Sequence, residues 1–293
     1  MAIFKGSGVA LVTPFKENGD IDFKKLEELL EFHVKNHTDA IVITGTTGEA
    51  STLNDTEHLE AIKCAVDVID GRIPVIAGTG SNDTRHGINL SVEAEKLGAD
   101  ALLQVTPYYN KTSQKGLEEH FLAIANSVNI PILLYDVPGR TNMPIAPETL
   151  KRLAEHKNIV GIKDATGNLG HTIEIRRVCG EDFQVYSGND DVVVPLLAAG
   201  GLGVISVSAN IIPKETSEMV HLFLEGKTKE ALEIQVKYKK FIDALFVEPN
   251  PIPVKAAMNM LGFEVGGMRL PLYEASDSTK ELLKNSMKEI NLL

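Results

Sequence analysis

The chain has 293 residues with 43% hydrophobic side chains, 24 glycines and no tryptophan, enough for one large core of barrel size. Its formal net charge of −11 argues against nucleic acid or an anionic membrane as the main partner. Met1–Thr13 carries one lysine and no long apolar stretch, no run approaches the roughly 18 apolar residues of a membrane span, and Cys64 and Cys179 show no CxxC spacing, so a cytoplasmic protein with reduced thiols is expected.

Short apolar runs recur along the chain, each followed by an amphipathic stretch. In order they are Val9–Val12, Ala40–Thr44, Pro74–Ala77, Ala101–Val105, Pro131–Tyr135, Val160–Lys163, Gln184–Tyr186 and Val204–Val207. Between them lie helical patterns. Phe23, Leu26 and Leu30 mark one face; Leu59, Ile62, Val66 and Ile69 mark the next, with Asn54 and Glu57 spaced as a capping box. Eight strand–helix units predict an α/β fold of the (β/α)8 TIM-barrel type, with active residues where strands end and βα loops begin. A doubly wound sheet is the alternative, but Gly78-Thr79-Gly80 lacks the third glycine of a dinucleotide loop. Past residue 225, Ala231, Ile234, Tyr238, Phe241 and Leu245 repeat at helical spacing, and Pro249-Asn250-Pro251-Ile252-Pro253 breaks the chain before two more helices. Residues 1–225 are therefore expected to form the barrel, and 226–293 a helical extension packed on it.

Lys163 interrupts the apolar run Ile159-Val160-Gly161-Ile162-Lys163-Asp164-Ala165. Alternation sets Val160 and Ile162 toward helices, and Gly161, Lys163 and Ala165 on a roomier face. Burial lowers a lysine pKa and leaves a neutral, nucleophilic amine, as imine formation with a carbonyl substrate requires. An ion pair with a nearby acid is the other reading. Tyr135 ends the preceding strand with a parity that points inward. Strands about 4.8 Å apart bring its phenol within reach of the lysine for proton transfer, unless it only fills the core. Gly45-Thr46-Thr47-Gly48-Glu49 offers backbone N–H groups and two hydroxyls, a cradle for a carboxylate as well as an ordinary turn. Tyr108-Tyr109 reads as an interface pair or as both interface and catalytic residues, and Arg140 as a bidentate carboxylate clamp or a solvated loop residue. The eight histidines are scattered without metal-ligand spacing, which disfavours a metal-dependent aldolase. Gly200-Gly201-Leu202-Gly203 precedes the eighth strand rather than following it, which disfavours a phosphorylated substrate.

Taken in register, Gly45-Thr46-Thr47-Gly48-Glu49, Tyr108-Tyr109-Asn110-Lys111, Tyr135-Asp136-Val137-Pro138-Gly139-Arg140-Thr141, Gly161-Ile162-Lys163-Asp164 and Tyr186-Ser187-Gly188-Asn189-Asp190 resemble the dihydrodipicolinate synthase family of pyruvate-dependent class I aldolases. The resemblance implies condensation of pyruvate with L-aspartate 4-semialdehyde through a Schiff base on Lys163, in diaminopimelate and lysine biosynthesis, with no cofactor or metal. It also implies a proton relay of Tyr135, Thr46 and Tyr109, the last from a neighbouring subunit of a homotetramer built as a dimer of dimers. Thr47, Gly188 and Ile205 would border pyruvate, and Arg140 would hold the second substrate. A regulatory lysine site is implied at His58, Asn82, His86 and Tyr108. His86 stands where regulated members carry glutamate, and Asp55 where they carry histidine. Loss of a carboxylate partner, often about 1.5–3 kcal/mol, predicts weak or absent lysine inhibition. Two other readings use the same residues: an N-acetylneuraminate lyase or 2-keto-3-deoxy-acid aldolase sharing Lys163 and Tyr135, and a non-catalytic barrel that binds a keto acid.

Overall fold

The computed structural model describes residues 2–293. In chain order its elements are β1 (Gly6–Ala10), α1 (Phe23–Lys35), β2 (Ala40–Ile43), α2 (Asp55–Ile69), β3 (Val75–Gly78), α3 (Thr84–Lys96), β4 (Ala101–Val105), α4 (Gln114–Ala125), β5 (Ile132–Asp136), α5 (Pro138–Thr141), α6 (Pro147–Leu153), β6 (Ile159–Asp164), α7 (Leu169–Cys179), β7 (Gln184–Ser187), α8 (Val193–Ala198), β8 (Gly203–Ser206), α9 (Pro213–Leu224), α10 (Thr228–Ala244), α11 (Ile252–Met260) and α12 (Asp277–Glu289). The eight strands are parallel and close into a barrel, β8 pairing back onto β1 with Gly6 opposite Gly203. Closure leaves both strand faces buried, so the strands read as continuous apolar runs. Alternation then sorts the side chains. Ile41, Ile43, Leu102, Leu134, Ile162 and Val185 face the helices. Val42, Leu103, Leu133, Tyr135 and Ile205 face the barrel axis.

The axis is plugged at the N-terminal pole. Phe4 stacks on Tyr186 with ring centroids 4.3 Å apart, and the Tyr186 hydroxyl donates to the Phe4 carbonyl at 2.7 Å. The opposite pole, where β2, β5, β6 and β7 end, stays open. Helix boundaries follow local chemistry. Asn54 and Glu57 form the reciprocal capping box at the start of α2, both bonds at 3.1 Å, and Asp22 caps α1. Of the α10 face expected from spacing, Ala231, Tyr238, Phe241 and Leu245 are buried; α10 packs on α8, α9 and α12.

Two departures from the expected strands have physical causes. β1 lies earlier than Val9–Val12, because Val12 N–H leaves the ladder and donates to Asn210 Oδ1 at 3.1 Å. In β6 the strict alternation fails. Ile132 pairs with Ile159 but Leu133 pairs with Gly161, so Val160 is an extra residue in a bulge. Val160 therefore packs on the inner cluster while Ile162 packs on the outer one, and the expectation that both face helices is corrected. From Gly161 onward the alternation resumes and carries Lys163 inward.

Candidate active site

Tyr135 and Lys163 are direct partners in the β5–β6 register, and the lysine Nζ lies 4.4 Å from the centre of the phenol ring. Both are buried, at 7% and 6% exposure. No carboxylate of the described residues comes within the 4.0 Å of an ion pair with Lys163. Desolvation therefore dominates and brings its pKa down to about 8; Asp190 opposes the shift and the Arg140 guanidinium adds to it. Desolvation lowers the pKa of the second buried lysine too, but that lysine is paired, and the Glu49 carboxylate opposes the shift. Lys255 donates to Glu49 Oε1 at 2.9 Å, to the Thr13 carbonyl at 3.0 Å and to the Gly267 carbonyl. One lysine is answered on three sides and the other is not. Burial also raises the Tyr135 pKa, an effect that Arg140 and the Thr46 hydroxyl reduce.

The acids next to this pair in sequence point the other way. Asp136 and Asp164 follow Tyr135 and Lys163 and so face outward. Asp164 accepts from Thr166 N–H at 3.0 Å and from Thr172 Oγ1 at 2.7 Å, fixing the loop into α7. Asp136 accepts from Ile145 N–H at 3.1 Å, and it raises the pKa of the neighbouring His171.

Lys163 opens into a cavity of about 180 Å³, also bordered by Thr46, Thr47, Tyr135, Arg140 and Gly188. Its size is below the roughly 300–1,000 Å³ of drug-sized pockets and suits a small substrate. Glycine is required at 188: a Cβ there would meet Ala165 Cβ at 2.6 Å and Lys163 Cε at 3.1 Å. Ile205 lies fully buried on the inner barrel face, opposite Gly8, and does not border the cavity itself. Tyr109 lies outside it too, 93% exposed in a left-handed conformation at φ 69°.

Three residues in this region had no role assigned from sequence. Asn250 borders the cavity, donates from Nδ2 to Thr47 Oγ1 at 2.9 Å, and accepts from Arg140 Nη2 at its carbonyl, also at 2.9 Å. Asp190 is buried and accepts from Ser206, from Ser208 Oγ at 2.9 Å and from Val207 N–H at 2.9 Å. Phe246 forms part of the cavity wall. Asn250 sits in a proline-rich break, and Phe246 follows α10. Their only sequence signals are an asparagine between prolines and an aromatic past the end of a helix.

A second cavity of about 350 Å³ adjoins the first and shares Thr46, Tyr135 and Arg140 with it. His58, His86, Tyr108 and Asp55 border it, while Asn82 stands behind and donates to the Tyr108 carbonyl at 3.1 Å. Burial lowers the His58 pKa, and its Nε2 lies 2.7 Å from the Gly78 carbonyl. Asp55 Oδ1 lies 2.9 Å from His86 Nε2. A carboxylate, that of Asp55, therefore stands in this cavity beside His86.

The chain matches the profile of the dihydrodipicolinate synthetase family over residues 3–290. It is 55% identical over 294 residues to a 4-hydroxy-tetrahydrodipicolinate synthase of Clostridium tetani, covering 100% of both chains. Among the solved structures similar to it are two with informative ligands. One is a chloride-inhibited dihydrodipicolinate synthase from Acinetobacter baumannii complexed with pyruvate, at 45% identity, TM-score 0.96 and 99% coverage of each chain. The other is the enzyme from Cyanidioschyzon merolae with lysine bound, at 42% identity, TM-score 0.97 and 100% coverage of each.

An unpartnered buried ammonium destabilises the fold, so Lys163→Met is expected to be more stable than the parent at pH 7, by about 1–3 kcal/mol. Below the folded pKa of about 8 the lysine is charged in both states and the full cost applies. Between about 8 and 10.5 the folded amine is neutral while the unfolded chain keeps its proton, so parent stability rises and the advantage shrinks. Denaturant unfolding at pH 7 and pH 10 measures both; a variant no more stable than the parent at pH 7 contradicts the assignment.

Proposed function

This chain belongs to the dihydrodipicolinate synthetase family, and we propose that it condenses pyruvate with L-aspartate 4-semialdehyde to give 4-hydroxy-tetrahydrodipicolinate, in diaminopimelate and lysine biosynthesis. The observation that carries the mechanism is the buried, partnerless amine of Lys163 packed against the phenol of Tyr135. The neutral amine attacks the pyruvate C2 carbonyl. Tyr135 delivers a proton to the resulting alkoxide, and water leaves to form the imine. Loss of a methyl proton gives the enamine, whose carbon adds to the aldehyde. The amino group of the new chain then attacks the imine carbon, closes the ring and expels Lys163.

Thr46 relays protons to and from Tyr135, and the hydroxyl turn at Thr46-Thr47 holds the pyruvate carboxylate. Gly188 leaves room beside the lysine and Ile205 supports the floor beneath it. Arg140, steadied by Asn250, binds the carboxylate of the semialdehyde. Tyr109, exposed here, completes the relay from a neighbouring subunit of a homotetramer. Cys64 and Cys179 are unpaired, in keeping with a reduced cytoplasmic setting, and no helix of the described residues is long and apolar enough to cross a membrane. The full-length relative at 55% identity favours this condensation over a sugar-acid cleavage.

Borohydride reduction in the presence of pyruvate is expected to leave a pyruvyl adduct on Lys163, located by peptide mass mapping, in a preparation that also turns over the semialdehyde. An adduct without turnover moves the substrate to a sugar acid; no adduct removes the Schiff-base chemistry altogether.

The adjoining cavity is the candidate regulatory site, supported by the lysine-bound relative. Here a lysine ammonium has to compete with His86 for Asp55, so inhibition is expected to be weak, with half-inhibition above about 1 mM. Initial rates against added lysine test this, and half-inhibition well below that concentration contradicts it.

A further inference from the structure

We infer that the buried pair Lys255–Glu49, reaching in from α11, is a positioning device that sets the hydroxyl turn at Thr46-Thr47; as a claim about substrate binding it rests on the function proposed above. The turn is bounded by two non-glycine residues in left-handed conformation, Thr44 at φ 54° and Glu49 at φ 55°. For a β-branched residue such as Thr44 that conformation is costly, and it persists only where the surroundings over-determine it. At the Thr44 end, the hydroxyl is bonded to the Ile43 carbonyl at 2.7 Å and lies 3.2 Å from that of Gly78.

At the other end the restraint is ionic. Glu49 is buried, and its carboxylate takes Lys255 on Oε1 at 2.9 Å and the Arg269 N–H on Oε2 at 3.1 Å. Lys255 also grips the Thr13 carbonyl, while Thr13 Oγ1 donates to the Gly48 carbonyl at 2.6 Å. The ammonium thus holds the last residue of the turn directly and the one before it through Thr13. Between these anchors, Asn250 from the same C-terminal segment holds the Thr47 hydroxyl.

Stability alone is a poor reason for such a pair. Two buried charges are costly to desolvate, and apolar side chains of similar volume often serve the fold as well or better. What an apolar pair cannot do is hold the Glu49 backbone in its left-handed state and fix the hydroxyls and N–H groups of the turn for an incoming carboxylate.

The test uses the full-length double variant Lys255→Met/Glu49→Met, with Glu49→Gln as a second variant should the first fail to fold. Two readouts are taken: amide hydrogen exchange of residues 45–49 in the free protein, and the pyruvate concentration giving half-maximal borohydride trapping at Lys163. Folded variants are expected to exchange in this segment at least tenfold faster than the parent, with half-saturation raised at least tenfold and the same adduct at saturation. Unchanged exchange overturns the inference, whatever the half-saturation. Faster exchange with unchanged half-saturation overturns it too, because the turn then moves without consequence for binding. If the parent forms no pyruvate adduct, the functional proposal fails, and the exchange measurement alone still decides whether the pair holds the turn.

Discussion

The constraint on which the site depends is that a lysine ammonium cannot be buried without a partner unless its neutral form is tolerated. Lys163 stands in the wall of a closed barrel with a phenol against it and no acid in contact. Small neighbours make this position usable. Gly188 has no Cβ because one would collide with Lys163 and Ala165, and the space left is the cavity into which the amine opens. The same burial that costs stability brings the amine to a pKa near physiological pH, where it is both protonatable and nucleophilic.

Strand alternation keeps the charges apart. Asp136 and Asp164 are each one residue from the reactive pair, yet the pleat turns them outward onto Ile145, Thr166 and Thr172. Had either faced inward, Lys163 would be an ion pair of the kind that Lys255 makes with Glu49. Carboxylates on the outer side fix the strand ends and loops; hydroxyls, a phenol and an arginine on the inner side line the cavity. The C-terminal segment then closes the arrangement, with Asn250 joining Thr47 to Arg140 and Lys255 holding the turn that carries Thr46 and Thr47.

Much of this was legible in the sequence because each strand is buried on both faces and so stands out as a short apolar run. Lys163 and Tyr135 were legible because a cation and a phenol at the ends of such runs break the pattern. The bulge at Val160 was not, since an inserted residue leaves an apolar run looking regular while reversing one side chain. Asn250, Asp190 and Lys255 acquire meaning only from partners far away in the chain, such as Glu49, 206 residues from Lys255, which no local spacing reveals. Tyr109 is exposed and lies outside both cavities, and no neighbour within this chain gives it a role. In the adjoining cavity, the pairing of Asp55 with His86 joins residues 31 apart on two different elements, and only the fold shows that a carboxylate stands there.

Lys163 is an unpaired buried amine, and its titration tests this most directly. With ¹⁵N-labelled lysine assigned by comparison with the Lys163→Met variant, the Nζ resonance of the free protein would be followed from pH 6 to pH 11. A midpoint near 8 is predicted. A midpoint near the ordinary lysine value of 10.5 would mean that the ammonium has a partner or ready access to water, and would contradict the account.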